Sequence, residues 1–334
     1  MSSKNRPLSE QLRVLGRHSQ SAEQAVPFAK SRTTTSATPH NIRVLHVSTL
    51  DCGGAGIAAY RLHRGLLHLC VDSRMCVLHK STNDPTVRWI YGVRGSADKR
   101  QAISLWPGLR QHWGETLQRF PGRSQSLCFF STPDAVVSLD ELVQDFDVIN
   151  LHWVAGFLDI ESMPKLFAGK KLFWTLHDMN PFTGGCHYAQ DCIRYRTGCH
   201  DCPQLGPGPE DIVRAIWNLK LSCYESLDLT VVTPSRWLGS CSQASRLLGR
   251  FPHRVIPNGL DLEHYHPVDR SQARQALGLP TEAQVVLFGA SAIGDYRKGF
   301  DLFLDAIVRL PHLLKGAELI LAAFGHSEEL GRIT

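Results

Sequence analysis

Apolar residues recur along this chain in short unbroken runs closed by glycine, proline or a polar pair, and amphipathic stretches follow several of them. Ile42 to Thr49 (IRVLHVST) is one such run, ending in Asp51-Cys52-Gly53-Gly54-Ala55-Gly56, and Ala58 to Leu69 then carries helical periodicity. Strand, glycine turn and helix in that order predict the opening of a parallel α/β unit. Arg74 to Leu78 supplies a second strand. The pattern repeats with a strand at Asp147 to His152, a short helix at Ile160 to Phe167 and a strand at Lys171 to Leu176. Leu227 to Val232 is a further strand, Pro234-Ser235 opens a helix over Arg236 to Leu248, and His253 to Ile256 is a strand closed by Pro257-Asn258-Gly259. Segment 92 to 130 reads as an insert with helical parts.

A second domain is expected from residue 281. Val285 to Gly289 is a strand, Gly299 to Leu310 a helix and Glu318 to Phe324 a strand. The fold class is therefore α/β, with two Rossmann-like parallel sheets and the second incomplete. The division reads as a basic arm over 1–40, a first domain over 41–280 and the start of a second over 281–334. Ser31 to Pro39 (SRTTTSATP) looks like a linker, so the arm is expected to be disordered.

Composition narrows the classes. The 334 residues are 43% hydrophobic and 20% charged, which excludes a wholly disordered or collagen-like chain. No apolar run approaches the roughly 20 residues that span a bilayer. The polar stretch from Met1 to Arg43 has no signal-peptide core, so the expected place of work is the cytoplasm, with peripheral membrane contact. The net charge of +5 is concentrated in residues 1–40, where six basic residues face Glu10 and Glu23. A nucleic-acid binder would carry that charge on a folded face, so no nucleic-acid partner is expected.

Four places hold candidate chemistry. Gly53, Gly54 and Gly56 lie where a strand feeds a helix, and such a turn is either a structural necessity or a loop whose N–H groups meet an anion. The loop has neither the GxGxxG of a nicotinamide site nor the GK[ST] of a P-loop. His177 and Asp178 follow directly on a strand, placed to meet a substrate hydroxyl or phosphate, or else to cap one another. Cys186, Cys192, Cys199 and Cys202 are spaced C-x5-C-x6-C-x2-C; structural zinc, one or two disulfides, and free thiols all remain open, with His187 and His200 as substitute ligands. Arg297 and Lys298 sit in the loop between a strand and the next helix, able to reach a phosphate or simply solvated. His46 reads as a packing residue, His152-Trp153 as lining or packing, and Cys70, Cys76, Cys128, Cys223 and Cys241 as small buried hydrophobes.

Taken together these motifs resemble the retaining glycosyltransferases of family 4, in the branch that makes colanic acid and other exopolysaccharides. The resemblance is carried by VLHVSTLDCGGAGIAAYRLHRGL (44–66), DVINLHW (147–153), LFWTLHDMNPFTGGCHY (172–188), CHDCPQL (199–205), VVTPSRWL (231–238), VIPNGLDLEHYHP (255–267) and RKGFDLFLDAI (297–307). It implies a GT-B fold, a nucleotide-diphosphate sugar as donor, a saccharide or lipid-linked saccharide as acceptor, and no metal cofactor for catalysis. It also implies transfer with retention through an oxocarbenium-like transition state, without a covalent nucleophile. By the same resemblance Gly53, Gly54 and Gly56 lie near donor diphosphate and acceptor, and His177 contacts the transferring sugar. Asn258, Gly259 and Asp261 match the interdomain NG-x-D segment, and Lys298 the diphosphate-binding lysine.

Two departures qualify the match. Gly289 is followed by Ala290 and Ser291 where many relatives place an arginine, leaving Arg297 as the substitute cation. The paired-glutamate segment of the donor domain has no counterpart before Thr334, so a truncated product, an incomplete gene model or a partner-dependent remnant is expected. The competing class is accordingly a non-catalytic acceptor-binding or scaffold module. A nicotinamide oxidoreductase shares the elements but lacks the fingerprint and the ribose-binding acid.

Overall fold

The computed structural model describes residues 42–90, 92–94, 101–103, 106–124, 139–208, 211–310 and 319–326. The basic arm, Cys128 and the end of the chain lie outside them. The chain divides into two compact units, the larger running to Asp261 and the smaller starting at Leu262. That division falls about twenty residues before the one read from the sequence, so residues 262–280 go with the second sheet.

In the larger unit the elements are β1 (Arg43–Leu50), α1 (Gly53–His68), β2 (Asp72–His79), β3 (Val87–Trp89), β4 (Gly92–Arg94), β5 (Gln101–Ile103), α2 (Trp106–Gln118) and α3 (Asp140–Gln144). They continue through β6 (Val148–Leu151), α4 (Met163–Leu166), β7 (Lys171–Thr175), α5 (Ile212–Tyr224), β8 (Leu229–Thr233), α6 (Arg236–Gln243) and β9 (His253–Val255). Seven strands form one parallel sheet in the order β3-β2-β1-β6-β7-β8-β9. Strand order reverses between β1 and β6, and in such sheets ligands collect beyond the carboxyl ends at that switch point.

Burial on both faces explains why these strands read as continuous apolar runs. Val44 to Thr49 of β1 are all buried. Leu45 and Val47 face the main core with Cys76, Leu78, Ile149 and Leu151. The opposite face of β2 packs Met75 and Val77 with Ala59 of α1 in a second cluster. His46, alternating with Leu45 and Val47, is also fully buried.

The first helix begins earlier than its apolar period suggests. The glycines form its first turn, with Cys52 as an N-cap that makes no side-chain hydrogen bond. In the C-terminal half, α6 ends at Gln243 where the sequence suggests helix to Leu248. The hydroxyl of Ser245 donates to the Ser242 carbonyl at 2.8 Å and accepts from the Leu248 N–H at 3.1 Å, an alternative to the helical ladder. Within 92–130, β4 and β5 pair antiparallel and α2 is helical, while β3 adds an edge strand the sequence did not reveal.

The smaller unit holds α7 (Arg270–Ala276), β10 (Gln284–Ala292), α8 (Phe300–Arg309) and β11 (Leu319–His326), with β10 and β11 paired in parallel. The rings of Phe288, Phe300 and Phe303 stack between β10 and α8 with centroids 5.1–5.9 Å apart. Leu287, Leu302, Val308 and Phe324 are exposed. The protein thus has two Rossmann-like parallel sheets of the kind typical of GT-B folds, the second much smaller.

Candidate functional site at the carboxyl ends of the large sheet

The ends of β1, β6 and β7 are tied into one rim. Thr49 donates its N–H to the Trp153 carbonyl at 2.7 Å and its hydroxyl to the Ala155 carbonyl at 3.1 Å. His152 and His177, at the ends of β6 and β7, meet ring to ring with Nδ1 and Nε2 3.1 Å apart. The structure therefore brings the glycine loop and His177 to the same edge of the same sheet, as their positions after strands predict.

The three glycines have different reasons to be glycine. Gly53 sits at φ +67°, a left-handed backbone that side chains disfavour. A Cβ on Gly56 would lie 2.7 Å from the Leu50 carbonyl oxygen, so close helix–strand packing requires its absence. A Cβ on Gly54 would meet nothing within 4 Å. Asp51 holds this loop in place. Its buried carboxylate accepts from the Ser81 N–H at 2.7 Å and from the Thr82 N–H and hydroxyl at 3.0 and 2.9 Å. The unpaired N–H groups of the first helical turn are thus carried on a loop fixed to its neighbour.

His177 is half-buried, and burial draws its pKa down to about 4 despite the opposing charge of Asp178. It lines a small pocket together with His152, Trp153, Asp178, Lys220 and Tyr224. Asp178 does not serve as an open carboxylate there. It is buried, paired with Nδ1 of His187, and accepts from the Asn180 N–H at 2.8 Å. Burial alone would raise its pKa; the neighbouring His187 and these hydrogen bonds hold it below the ordinary carboxylate range.

The turn after His177 is pinned from α5 by two residues that give no motif in the sequence. Lys220, 1% exposed, donates Nζ to the carbonyls of Asn180 at 2.6 Å and Thr183 at 3.0 Å. Tyr224 donates its hydroxyl to the Pro181 carbonyl at 3.1 Å. Only the helical spacing of 220 and 224 hints at a shared face.

The cysteine segment packs onto the main core rather than standing apart. Ala189, Tyr195, Cys199 and Leu205 are buried in it, and the Tyr195 ring meets Phe182 with centroids 5.6 Å apart. Cys186, Cys192, Cys199 and Cys202 are not joined in disulfides. Burial pushes the Cys186 thiol up to about 12, with Cys202, Cys199 and Cys192 adding to the rise, so all four lie within electrostatic reach. Among the described residues no three His, Cys, Asp or Glu side chains converge so as to hold a metal ion. His187 is engaged by Asp178, and exposed His200 has Nδ1 2.8 Å from Asp201 Oδ2. Of the other cysteines, Cys76 is fully buried as anticipated, whereas Cys70 is exposed and Cys223 and Cys241 are half-buried.

Asn258, Gly259 and Asp261 are at the far end of the sheet, after β9; Asn258 and Gly259 are exposed. In the smaller unit, Arg297 and Lys298 form the turn before α8. Arg297 spends its guanidinium on Asp295, with Nε–Oδ1 3.0 Å and Nη2–Oδ2 2.6 Å. Lys298 is exposed. Of the two cations Lys298 is therefore the better placed for a ligand. Among the described residues no helix is long and apolar enough to cross a membrane.

No protein-family model matches the chain. A stretch of 93 residues is 41% identical to D-inositol 3-phosphate glycosyltransferase 1 of Catenulispora acidiphila, covering 26% of this chain and 22% of that protein. A stretch of 134 residues is 27% identical to the putative colanic acid biosynthesis glycosyl transferase WcaC of Escherichia coli K12, covering 36% and 32%. The matches thus span a third or less of these curated relatives. Among solved structures, WaaG, a glycosyltransferase involved in lipopolysaccharide biosynthesis, aligns at TM-score 0.40 and 15% identity over 86% of this chain and 65% of that one. Two stretches of the chain are thus similar to parts of curated glycosyltransferases, and its two parallel sheets are of the kind typical of GT-B folds.

Proposed function

We propose that this chain transfers a sugar from a nucleotide-diphosphate sugar to a saccharide or lipid-linked saccharide acceptor, with retention, in the building of an exopolysaccharide or cell-surface glycan. The observation that carries the reading is the rim itself, with the glycine-bearing N-terminus of α1 and the ring of His177 on one sheet edge at the switch point. Helix N–H groups suit the charge that builds on a departing diphosphate, and a histidine beside them suits a sugar hydroxyl or phosphate oxygen. The engagement of Asp178 with His187 and Asn180 supports a mechanism without a carboxylate nucleophile. Lys298 is the residue the resemblance assigns to the diphosphate.

Incubating the purified chain with a panel of sugar nucleotides and saccharide acceptors tests this by nucleotide release. The expected result is acceptor-dependent release that falls by roughly 100-fold or more in His177→Ala, the scale of one lost transition-state contact. No release across the panel, with acceptor binding retained, would support the non-catalytic acceptor-binding reading instead.

For the cysteine segment we propose a structural zinc, favoured by four thiols of zinc-binding chemistry spaced C-x5-C-x6-C-x2-C in one segment. Loading would displace thiol protons and draw the four sulfurs to one point. Metal analysis of freshly purified, reduced protein should give about one zinc per chain; a content under about 0.2 ends the assignment.

A further inference from the structure

Three histidines form an unbroken file through the large sheet. His46, in the middle of β1, has Nδ1 3.0 Å from Nε2 of His152, and Nδ1 of His152 is 3.1 Å from Nε2 of His177. His46 is 0% and His152 2% exposed, whereas His177 is half-buried and lines the pocket. His152 also touches the pocket, but His177 is the most exposed of the three rings. Burial draws the pKa of His46 down to about 3 and that of His177 to about 4, and holds His152 well below its ordinary value. All three rings are neutral near pH 7, so each carries one N–H and one bare nitrogen.

One proton per ring makes the file directional. Either every Nδ1 is protonated and each ring donates toward the pocket, or every Nε2 is protonated and each donates toward the core. A single reversed ring would set two N–H groups or two lone pairs against each other. One feature of the molecule chooses between these states. At the core end, Nε2 of His46 is buried with no hydrogen-bond partner among the described residues. The inward state would place an N–H there, and orphaned buried donors are the rarer and costlier case.

We infer that His46 and His152 are positioning residues that lock His177 into its Nδ1–H tautomer, so that it offers the pocket a hydrogen-bond donor rather than a base. His177 then recognises an oxygen, such as a hydroxyl or a phosphate oxygen of the sugar nucleotide, and does not take a proton from the acceptor. The inference rests on the proposed function only in naming that ligand. The direction of the file is a property of the protein alone.

Two-bond 1H–15N correlation spectra of the sugar-free, 15N-histidine-labelled protein near neutral pH read the tautomer directly. His177 is assigned by the loss of its signals in His177→Gln. The expected pattern is protonated Nδ1 and bare Nε2 on His46, His152 and His177. Protonated Nε2 on His177, or rapid averaging between the two forms, overturns the inference. In His152→Phe a detectable share of the His177 proton should move to Nε2; an unaltered Nδ1–H pattern there would remove His152 from the positioning role. Should that variant not fold, the wild-type spectrum still decides the direction. No sugar nucleotide is present, so the outcome is independent of whether transferase activity is found.

Discussion

Gly54 separates two explanations of the glycine loop that the sequence leaves equal. Gly53 and Gly56 are required by backbone and packing, and neither needs a ligand to account for it. Gly54 has open space where a side chain would stand. Gly56→Ala should lower stability by about 1–3 kcal/mol through forced overpacking, measured by urea denaturation. Gly54→Ala should leave stability equal or slightly raised, because alanine favours a helical turn. It should nevertheless weaken sugar-nucleotide binding roughly tenfold, about 1.4 kcal/mol, measured by calorimetric titration. Unchanged affinity in a well-folded Gly54→Ala protein would return the loop to a purely structural role. Residue identities alone exposed the glycines and His177, because both follow strands. They could not show that Asp178 turns away to His187, since a carboxylate beside a histidine in sequence also looks like its natural partner. Nor could they raise His46 above a packing residue, because its connection to His152 is made across strands 106 positions apart.

Elements were legible where apolar period and glycine or proline punctuation agreed. The strands at β1, β6, β7 and β8 and the helix α8 follow directly from that agreement. The short edge strand β3 has only three residues, too few for any period to register. The early end of α6 comes from hydroxyl-to-carbonyl bonds that compete with the helix and leave no hydrophobic trace. The turn over Asn180–Phe182 owes its shape to α5, 40 positions later in the chain. Lys220→Met keeps the bulk but takes the ammonium from the buried carbonyls of Thr183 and Asn180, of which the Asn180 carbonyl still accepts from the Thr183 N–H at 3.3 Å. It should destabilise the protein by roughly 1–3 kcal/mol, seen as a lower urea midpoint at unchanged slope. An equal or higher midpoint would show that burying the ammonium costs as much as its hydrogen bonds return. The same element-level view revises the cysteine segment, whose order is supplied in part by Tyr195 and Phe182 packing rather than by thiol chemistry alone.

At the scale of the molecule, the alternation of strand and helix announced two parallel sheets, and the strand order places a switch point between β1 and β6. That topology predicts where a ligand belongs before any side chain is considered. The boundary between the units was less visible, because α7 is a short polar helix with no buried residue to mark its allegiance. The central claim is that the rim at β1, β6 and β7 binds a sugar nucleotide. Amide hydrogen exchange with and without sugar nucleotides tests it most directly. The unpaired N–H groups of Gly53 to Ala55 should exchange fast in the free protein and slow markedly on binding, together with the loop that begins at His177. Saturable binding that protects other segments while these amides exchange unchanged would contradict the account.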